Sequence, residues 1–178
     1  GAPDAASNDS YRACSAALEC QGAIQHLSHL LRWENHPAMQ VHIGLHRDGC
    51  MVGNFGSEDR MFYSVVGGAV SVNHWLSNLN TRYGTTILAS RAVRDETARD
   101  FLWRWVDRVQ LFDREDDFDL YELSGHANDP DLVPRRDYVA RYEAALALRL
   151  GQNDPDAALD RFIALQEQFP EDPAVAWQ

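Results

Sequence analysis

The side chains that could bind a metal ion are seven histidines, three cysteines and 27 carboxylates. His26 and His29 lie three residues apart in a helical pattern, so both imidazoles could hold one ion from a single helix face. No cysteine or carboxylate follows them at ligand spacing, which favours ordinary half-exposed histidines. The acidic residues 115–119 lack the spacing of an EF-hand loop and predict a solvated hairpin tip. The sequence therefore predicts no metal site.

The basic residues exclude several kinds of chemistry. All 16 are arginine, so the chain has no lysine for a Schiff base or for the phosphate contact of a Walker A motif. The net charge of -11 argues against nucleic acid as a ligand, because phosphate backbones require a basic surface. Cys14, Cys20 and Cys50 form no CxxC motif, which indicates reduced thiols rather than disulfides.

The expected location is intracellular, either soluble or peripheral to a larger assembly. No apolar run approaches the roughly 18 residues that a membrane span needs. The chain begins with Gly1 and has no initiator Met, which fits either cleavage upstream or a start within a longer protein. An organellar location after N-terminal processing therefore stays open.

Hydrophobic periodicity and turn residues predict alternating helices and strands in the first half of the chain. Asp48-Gly49 is a strong hairpin signal and is expected to join two paired strands. Gly84 is expected to end a helix. The predicted elements are a helix at 10–33 capped by Asn8 or Ser10, strands at 39–46, 50–54 and 61–66, and a helix at 69–83.

The second half ends in helices. Residues 101–105, FLWRW, are hydrophobic at both odd and even positions. This pattern predicts packing under a sheet, with a contact surface as the alternative. Pro155 suits the first position of a helix and Pro170 ends it. The predicted elements are strands at 85–89, 106–112 and 118–123, a helix at 91–98 capped by Ser90, a linker at 124–135, and helices at 136–150 and 157–169.

Many residues of the central segment lie in ungapped register with one known sequence pattern. They include Ile43-Gly44, His46, Val52-Gly53-Asn54, Gly56-Ser57, Asp59-Arg60-Met61, Tyr63, Gly67, Val70, Leu76, Leu79-Asn80, Tyr83-Gly84-Thr85, Ile87-Leu88 and Ser90. In these residues the chain resembles the class III adenylate/guanylate cyclase catalytic domain. The resemblance covers about residues 1–123, which correspond to the C-terminal part of that domain.

The resemblance implies an α+β fold, namely a partial ferredoxin-like nucleotide-cyclase fold with an antiparallel sheet and flanking helices. A C-terminal α-hairpin would follow, so the predicted units are residues 1–123, the linker 124–135 and a tetratricopeptide-like hairpin at 136–178. One such helical unit cannot bury its own apolar face, so it must dock on the domain or on a partner. His42 is expected on the polar strand face, and His46 is expected to support the hairpin.

Residues that handle the nucleotide in the family are replaced here. Ser71 and Trp75 occupy the positions of a ribose-orienting Asn and of an Arg that stabilises the transferring phosphate, and Phe112 occupies that of a phosphate-contacting Lys. Tryptophan supplies no charge and cannot replace an arginine fork. Both metal-binding aspartates of the family lie upstream of the matched region. Ser64 lies near the base-selecting position.

Two functions are compatible with this pattern. The first is a catalytically inactive cyclase-homology domain, without a cofactor, that acts as a structural or regulatory subunit of a larger assembly. The second is a fragment of an active class III cyclase that makes cyclic nucleotides from ATP or GTP with Mg²⁺ or Mn²⁺, where a partner supplies the aspartates. A nucleotide held only as a ligand is a weaker third interpretation.

A protein partner is expected in either case. The family's central strand lies upstream, so the strand near Val41 would have an unpaired edge that another cyclase-homology chain or a large complex should cover. Phe55, Phe62 and Trp75 are the predicted interface residues. Trp75 would fill a nucleotide cleft or a dimer contact, with a plain core position as the alternative.

Overall fold

The computed structural model describes residues 4, 6–111, 117–151 and 154–178. Its elements alternate as a mixed α/β chain that ends in three helices. They are α1 (Asp9–Trp33), β1 (Ile43–Leu45), β2 (Met51–Ser57), β3 (Arg60–Val66), α2 (Gly68–Tyr83), β4 (Ile87–Ser90), α3 (Arg91–Thr97), β5 (Phe101–Gln110), β6 (Asp117–His126), a 3-10 turn (Pro130–Leu132), α4 (Val133–Leu150), α5 (Pro155–Gln168) and α6 (Pro173–Ala176). None of the described helices combines the length and the apolar character that crossing a membrane requires.

The main sheet has four strands in the order β1-β4-β6-β5. β1 pairs with β4 in parallel, with Ile43 opposite Ile87, and the other two pairings are antiparallel. The predicted antiparallel sheet therefore has one parallel pair, at β1. α2 lies between β1 and β4 in the chain, and a helical crossover of this kind joins parallel strands. The α+β class with flanking helices is confirmed.

The predicted hairpin at Asp48-Gly49 is wrong. β1 and β2 lie in different sheets, since β1 pairs with β4 and β2 pairs only with β3 in the described chain. The Asp48 carboxylate instead accepts a hydrogen bond from the Gly49 amide at 2.7 Å. A local turn signal thus marks a bend, whereas tertiary pairing decides which strands meet.

The β2–β3 hairpin is longer than predicted. Its register runs from Met51 opposite Val66 to Ser57 opposite Arg60, so the turn falls at residues 58–59, between the two predicted strands. The predicted strand at 39–46 shrinks to β1, and Met39 is held by backbone bonds to the Ser28 hydroxyl.

Two hydrophobic cores cover the two faces of the main sheet. One contains Phe101 and Trp103, which are buried but lie in β5 itself rather than under the sheet, so the strand begins before the predicted residue 106. Its other members are Cys14, Ala17, Ile87, Ala89, Val93, Tyr121 and Leu123. The second core joins α2 to the C-terminal helices; among its members are Val72, Leu76, Tyr83, Leu120, Tyr142, Leu146, Phe162 and Val175.

The C-terminal helices dock on the main sheet. The Tyr142 hydroxyl donates to the Val106 carbonyl at 2.8 Å, and the Glu143 carboxylate accepts from the Trp105 amide at 2.6 Å. β6 runs to His126 and α4 begins at Val133, so the connection is shorter than the predicted linker. The division at 123 and 135 and the tetratricopeptide-like character stay predictions.

Helix ends follow the local signals closely. Gly84 ends α2 in the left-handed region at φ 63, as predicted. Asp154 caps α5 by accepting from the Ala157 amide, ahead of Pro155 at the first helical position. Asn8 stands at the cap position of α1 and Ser90 at that of α3, but neither makes a side-chain cap bond.

Candidate functional site

The first turns of α2 hold the two altered family positions. α2 follows β3 directly, through Gly67 at φ 152, where an added Cβ would lie 3.3 Å from the Cα of Cys50. Ser71 is exposed, and Trp75 lies one turn further along the same helix. The geometry thus brings Ser71 and Trp75 to one side of a helix that leads away from the hairpin.

Trp75 is half-buried between α2 and β6. Its indole meets the ring of Phe118 edge-on, with centroids 5.6 Å apart and planes at 86°. Edge-to-face contacts of this kind stabilise aromatic pairs beyond their buried area. An arginine in this place would exchange the aromatic contact for a charge beside an apolar ring. The roles of Trp75 as a nucleotide plug and as a dimer contact stay predictions.

The other predicted site residues lie apart from Trp75 or outside the described ranges. Phe112 falls in the undescribed stretch 112–116. Ser64 is exposed on β3, opposite Gly53. Phe55 and Phe62 are cross-strand partners in the hairpin, so their side chains share one face of it.

The β2–β3 hairpin exposes large apolar side chains along both strands. Phe62 is 56% exposed and the guanidinium of Arg60 lies 5.4 Å above its ring. We call the exposed apolar side chains on the two faces of this hairpin the hairpin surface, and they are Met51, Phe62 and Val66 on one face and Val52, Met61, Tyr63 and Val65 on the other. A two-stranded hairpin is at best marginally stable in water on its own. The exposed apolar side chains of the hairpin surface therefore favour burial against another protein surface.

The histidines make polar contacts between elements. His46 shares a hydrogen bond from Nδ1 with the Ser90 hydroxyl at 2.9 Å, which ties the end of β1 to that of β4 rather than supporting a hairpin. His42 precedes β1 and meets the Thr81 hydroxyl at 3.2 Å. Across the described ranges, no group of three or more His, Cys, Asp or Glu side chains could hold a metal.

A cavity of about 490 Å³ lies between α1 and the end of α2. Its polar lining includes Gln25, His29, Arg32, His42 and Thr81. Residues 39–42, which precede the edge strand β1, line the cavity, and neither Ser71 nor Trp75 does. The cavity therefore does not join the positions that the sequence singled out.

Two buried ionic clusters were missed by the sequence reasoning. In the first, Arg104 is 1% exposed and contacts Glu122 at 2.7 Å and Asp172 at 2.5 Å, with Arg135 beside both carboxylates. The charges of Glu122 and Asp172 hold the pKa of the Arg104 guanidinium above its usual range despite burial, which lowers it. The sequence signal that could have revealed this cluster is Arg104, a charged residue within an otherwise apolar strand pattern.

The second cluster is centred on Asp107. Its carboxylate accepts from the Tyr83 hydroxyl at 2.7 Å and from Arg149 at 2.5 Å. Burial, followed by the hydrogen bond to Asp107, raises the pKa of Tyr83. Burial also raises the pKa of the Cys14 thiol to about 11, so that cysteine is an inert core residue at neutral pH.

The chain was compared with protein-family models and with known proteins. No protein-family model matches the chain. A 124-residue stretch is 28% identical to adenylate cyclase 1 of Rhizobium meliloti and covers 70% of this chain. It spans only 19% of that relative, about a fifth of its length.

One solved structure has a similar fold. The crystal structure of the guanylyl cyclase Cya2 superposes with a TM-score of 0.62 at 23% identity, covering 74% of this chain and 66% of that one. A bacterial light-regulated adenylyl cyclase superposes with a TM-score of only 0.35 at 20% identity, covering 42% of this chain and 36% of that one. The fold and the sequence similarity together define an adenylate/guanylate cyclase-like α+β domain.

Proposed function

We propose that this chain is a catalytically silent cyclase-like domain that docks on another cyclase-homology chain as a structural or regulatory subunit. The observation that carries the proposal is the hairpin surface, an apolar two-stranded sheet set apart from the main sheet. Burying apolar area is worth about 25 cal/mol per Å², and each face of the hairpin exposes at least three large apolar side chains, which favours a partner.

The proposal that the chain lacks catalytic activity is based on the residue at position 75 of α2. Class III cyclases, to which the resemblance points, need positive charge near the transferring phosphate, and Trp75 supplies none. Loss of one transition-state donor lowers a rate by about 10²–10³. The aromatic contact between Trp75 and Phe118 stabilises the substituted position, which supports a residue retained for packing rather than chemistry.

Phe62→Asp tests the docking half of the proposal. A carboxylate in the centre of the hairpin surface would have to be desolvated in the complex, so association should weaken at least about tenfold. Sedimentation velocity and cross-linking would measure assembly of the full chain, alone and with a cyclase-homology partner. Leu159→Asp is the matched control, because Leu159 is similarly exposed, at 55%, but lies on α5. Equal loss in both variants would contradict the proposal.

An active fragment is the alternative, and it is supported by the similarity to a protein named adenylate cyclase 1. It would use Mg²⁺ or Mn²⁺ with ATP or GTP, and a partner would provide the metal-binding carboxylates. The assay measures cyclic AMP or cyclic GMP formed by the purified chain, with and without its partner, in Mn²⁺. Product that requires this chain and is unchanged by Trp75→Phe would establish the alternative. No product is the result that we expect.

A further inference from the structure

The last residues of the chain pack against the far end of α2, away from Ser71. An added Cβ on Gly84 would lie 2.5 Å from Cδ of Pro173, so α6 approaches the end of α2 as closely as a glycine permits. The indole of Trp177 lies 4.4 Å from the Arg82 guanidinium, a cation–π distance. The contacts with α6 therefore reach the last turn of α2 and the residue that ends it.

The same segment is anchored in the sheet. Asp172 accepts from buried Arg104 at 2.5 Å and from the Tyr138 hydroxyl, and its other oxygen caps α6 by accepting from the Ala174 amide. The Gln178 amide donates to the Val106 carbonyl at 3.2 Å. Residues 172–178, which we call the latch, thus bridge β5, α4 and α2.

α2 has other anchors at the same end. The Tyr83 hydroxyl reaches Asp107 on β5, and the Asn80 amide donates to the Ile43 carbonyl at 3.0 Å. These bonds fix the sheet side of the helix. The latch contacts Arg82 and Gly84, which remain exposed in its presence, so its contacts lie on a side of α2 that faces solvent rather than the sheet.

We propose that the latch is a conformational device that holds the last turns of α2 against the sheet. Its release loosens the helix that carries Ser71 and Trp75. The inference goes beyond the proposed function, because it concerns how one helix is held in the single chain. Its test needs neither a nucleotide nor a partner, so its failure would leave the docking proposal untouched.

Trp177→Ala is the first test, read by amide hydrogen exchange of the full chain. Trp177 is 53% exposed, so its removal should leave the fold intact, while the lost contact with Arg82 frees the end of α2. Exchange at amides 77–84 should rise about 2- to 5-fold, which matches the range of an exposed cation–π contact. Trp33→Ala is the control, since Trp33 is 84% exposed at the end of α1.

Asp172→Asn is the stronger test, because it removes the charge that pairs with Arg104. Exchange at amides 77–84 should rise at least about tenfold, since breaking a buried ion pair is costly. Asp137→Asn is its control, being an exposed carboxylate of α4 that lies 3.9 Å from Arg141. If Asp172→Asn unfolds the chain, the exchange rates of Trp177→Ala alone test the latch.

Two results would overturn the latch. In one, exchange rises in α6 and α4 while amides 77–84 keep their wild-type rates in Trp177→Ala. In the other, Trp33→Ala accelerates the same α2 amides as much as Trp177→Ala does. Either result would mean that α2 is held by Asn80 and Tyr83 without help from the C-terminal segment.

Discussion

The β2–β3 hairpin and the C-terminal helices present opposite solutions to burying apolar surface. The helices cover one face of the main sheet, place Phe162 and Tyr142 in its core, and pair each buried charge that the sheet contributes there. The hairpin leaves Phe62 and its neighbours exposed. The contrast is between a main sheet whose faces are covered within the chain and a hairpin whose apolar side chains are not, which supports the proposal of a partner.

Phe162→Ala and Phe62→Ala give the largest expected contrast. Phe162 is 3% exposed, so its truncation should lower the free energy of unfolding by about 3–5 kcal/mol. Phe62→Ala should change it by less than about 0.5 kcal/mol in the single chain. Urea unfolding followed by circular dichroism measures both. Equal losses would mean that the hairpin belongs to the core.

Arg104→Met should cost about 3 kcal/mol, because Glu122 and Asp172 would lose the cation that they share. Arg135 lies near both carboxylates and moderates the loss. Arg12→Met is the control, since the Arg12 side chain is 68% exposed and 3.9 Å from Asp9. If Arg104→Met is neutral in urea unfolding, the buried cluster does not hold the helices to the sheet.

Tyr142→Phe should cost about 1 kcal/mol. It removes the hydroxyl that donates to the Val106 carbonyl and leaves that buried acceptor less satisfied. Tyr63→Phe makes the same chemical change on the hairpin surface, where Tyr63 is 62% exposed, and should be neutral. Thermal unfolding of the two variants in parallel measures the difference. A larger effect at Tyr63 would reverse the comparison of the two regions.

Glu143→Gln should give the smallest effect, a gain of less than about 1 kcal/mol at neutral pH. Burial raises the pKa of Glu143 above its ordinary 4.5, so the folded chain holds this proton more tightly than the unfolded chain. The contribution of Glu143 to stability therefore falls as pH rises from about 4.5 through the raised value, and is flat above it.

The glutamine keeps an oxygen for the Trp105 amide and removes the charge, so that pH dependence should disappear. Urea unfolding from pH 4.5 to 8 measures it, with Glu167→Gln on the exposed side of α5 as the control. A destabilising Glu143→Gln at pH 8 would show that the charge itself is needed.

Local signals predicted the elements better than their pairing. Gly84 ends α2 in the conformation that glycine tolerates, and Pro155 begins α5, because both effects act over a few residues. Asp48-Gly49 failed as a hairpin because strand partners are chosen over long sequence distances. The short helix α6 was missed, since four residues carry too little periodicity to detect.

The sequence predicted which residues form the candidate site, but it did not predict the residues that contact them. The sequence identified Ser71 and Trp75 as departures from a cyclase pattern, because ungapped register fixes positions along the chain. It could not place Phe118 against Trp75, since that contact requires α2 to pack on β6. Nor did Arg104 and Asp172 appear as partners, being 68 residues apart in the chain.

By itself the sequence determined the α+β elements, the absence of lysine chemistry and the cyclase-like register, because these depend on residue identity and spacing. The tertiary structure decided the parallel β1–β4 pair, the separate hairpin surface and the clusters around Arg104 and Asp107. Burial makes those charges costly unless they are paired, and only the folded chain brings their partners within reach.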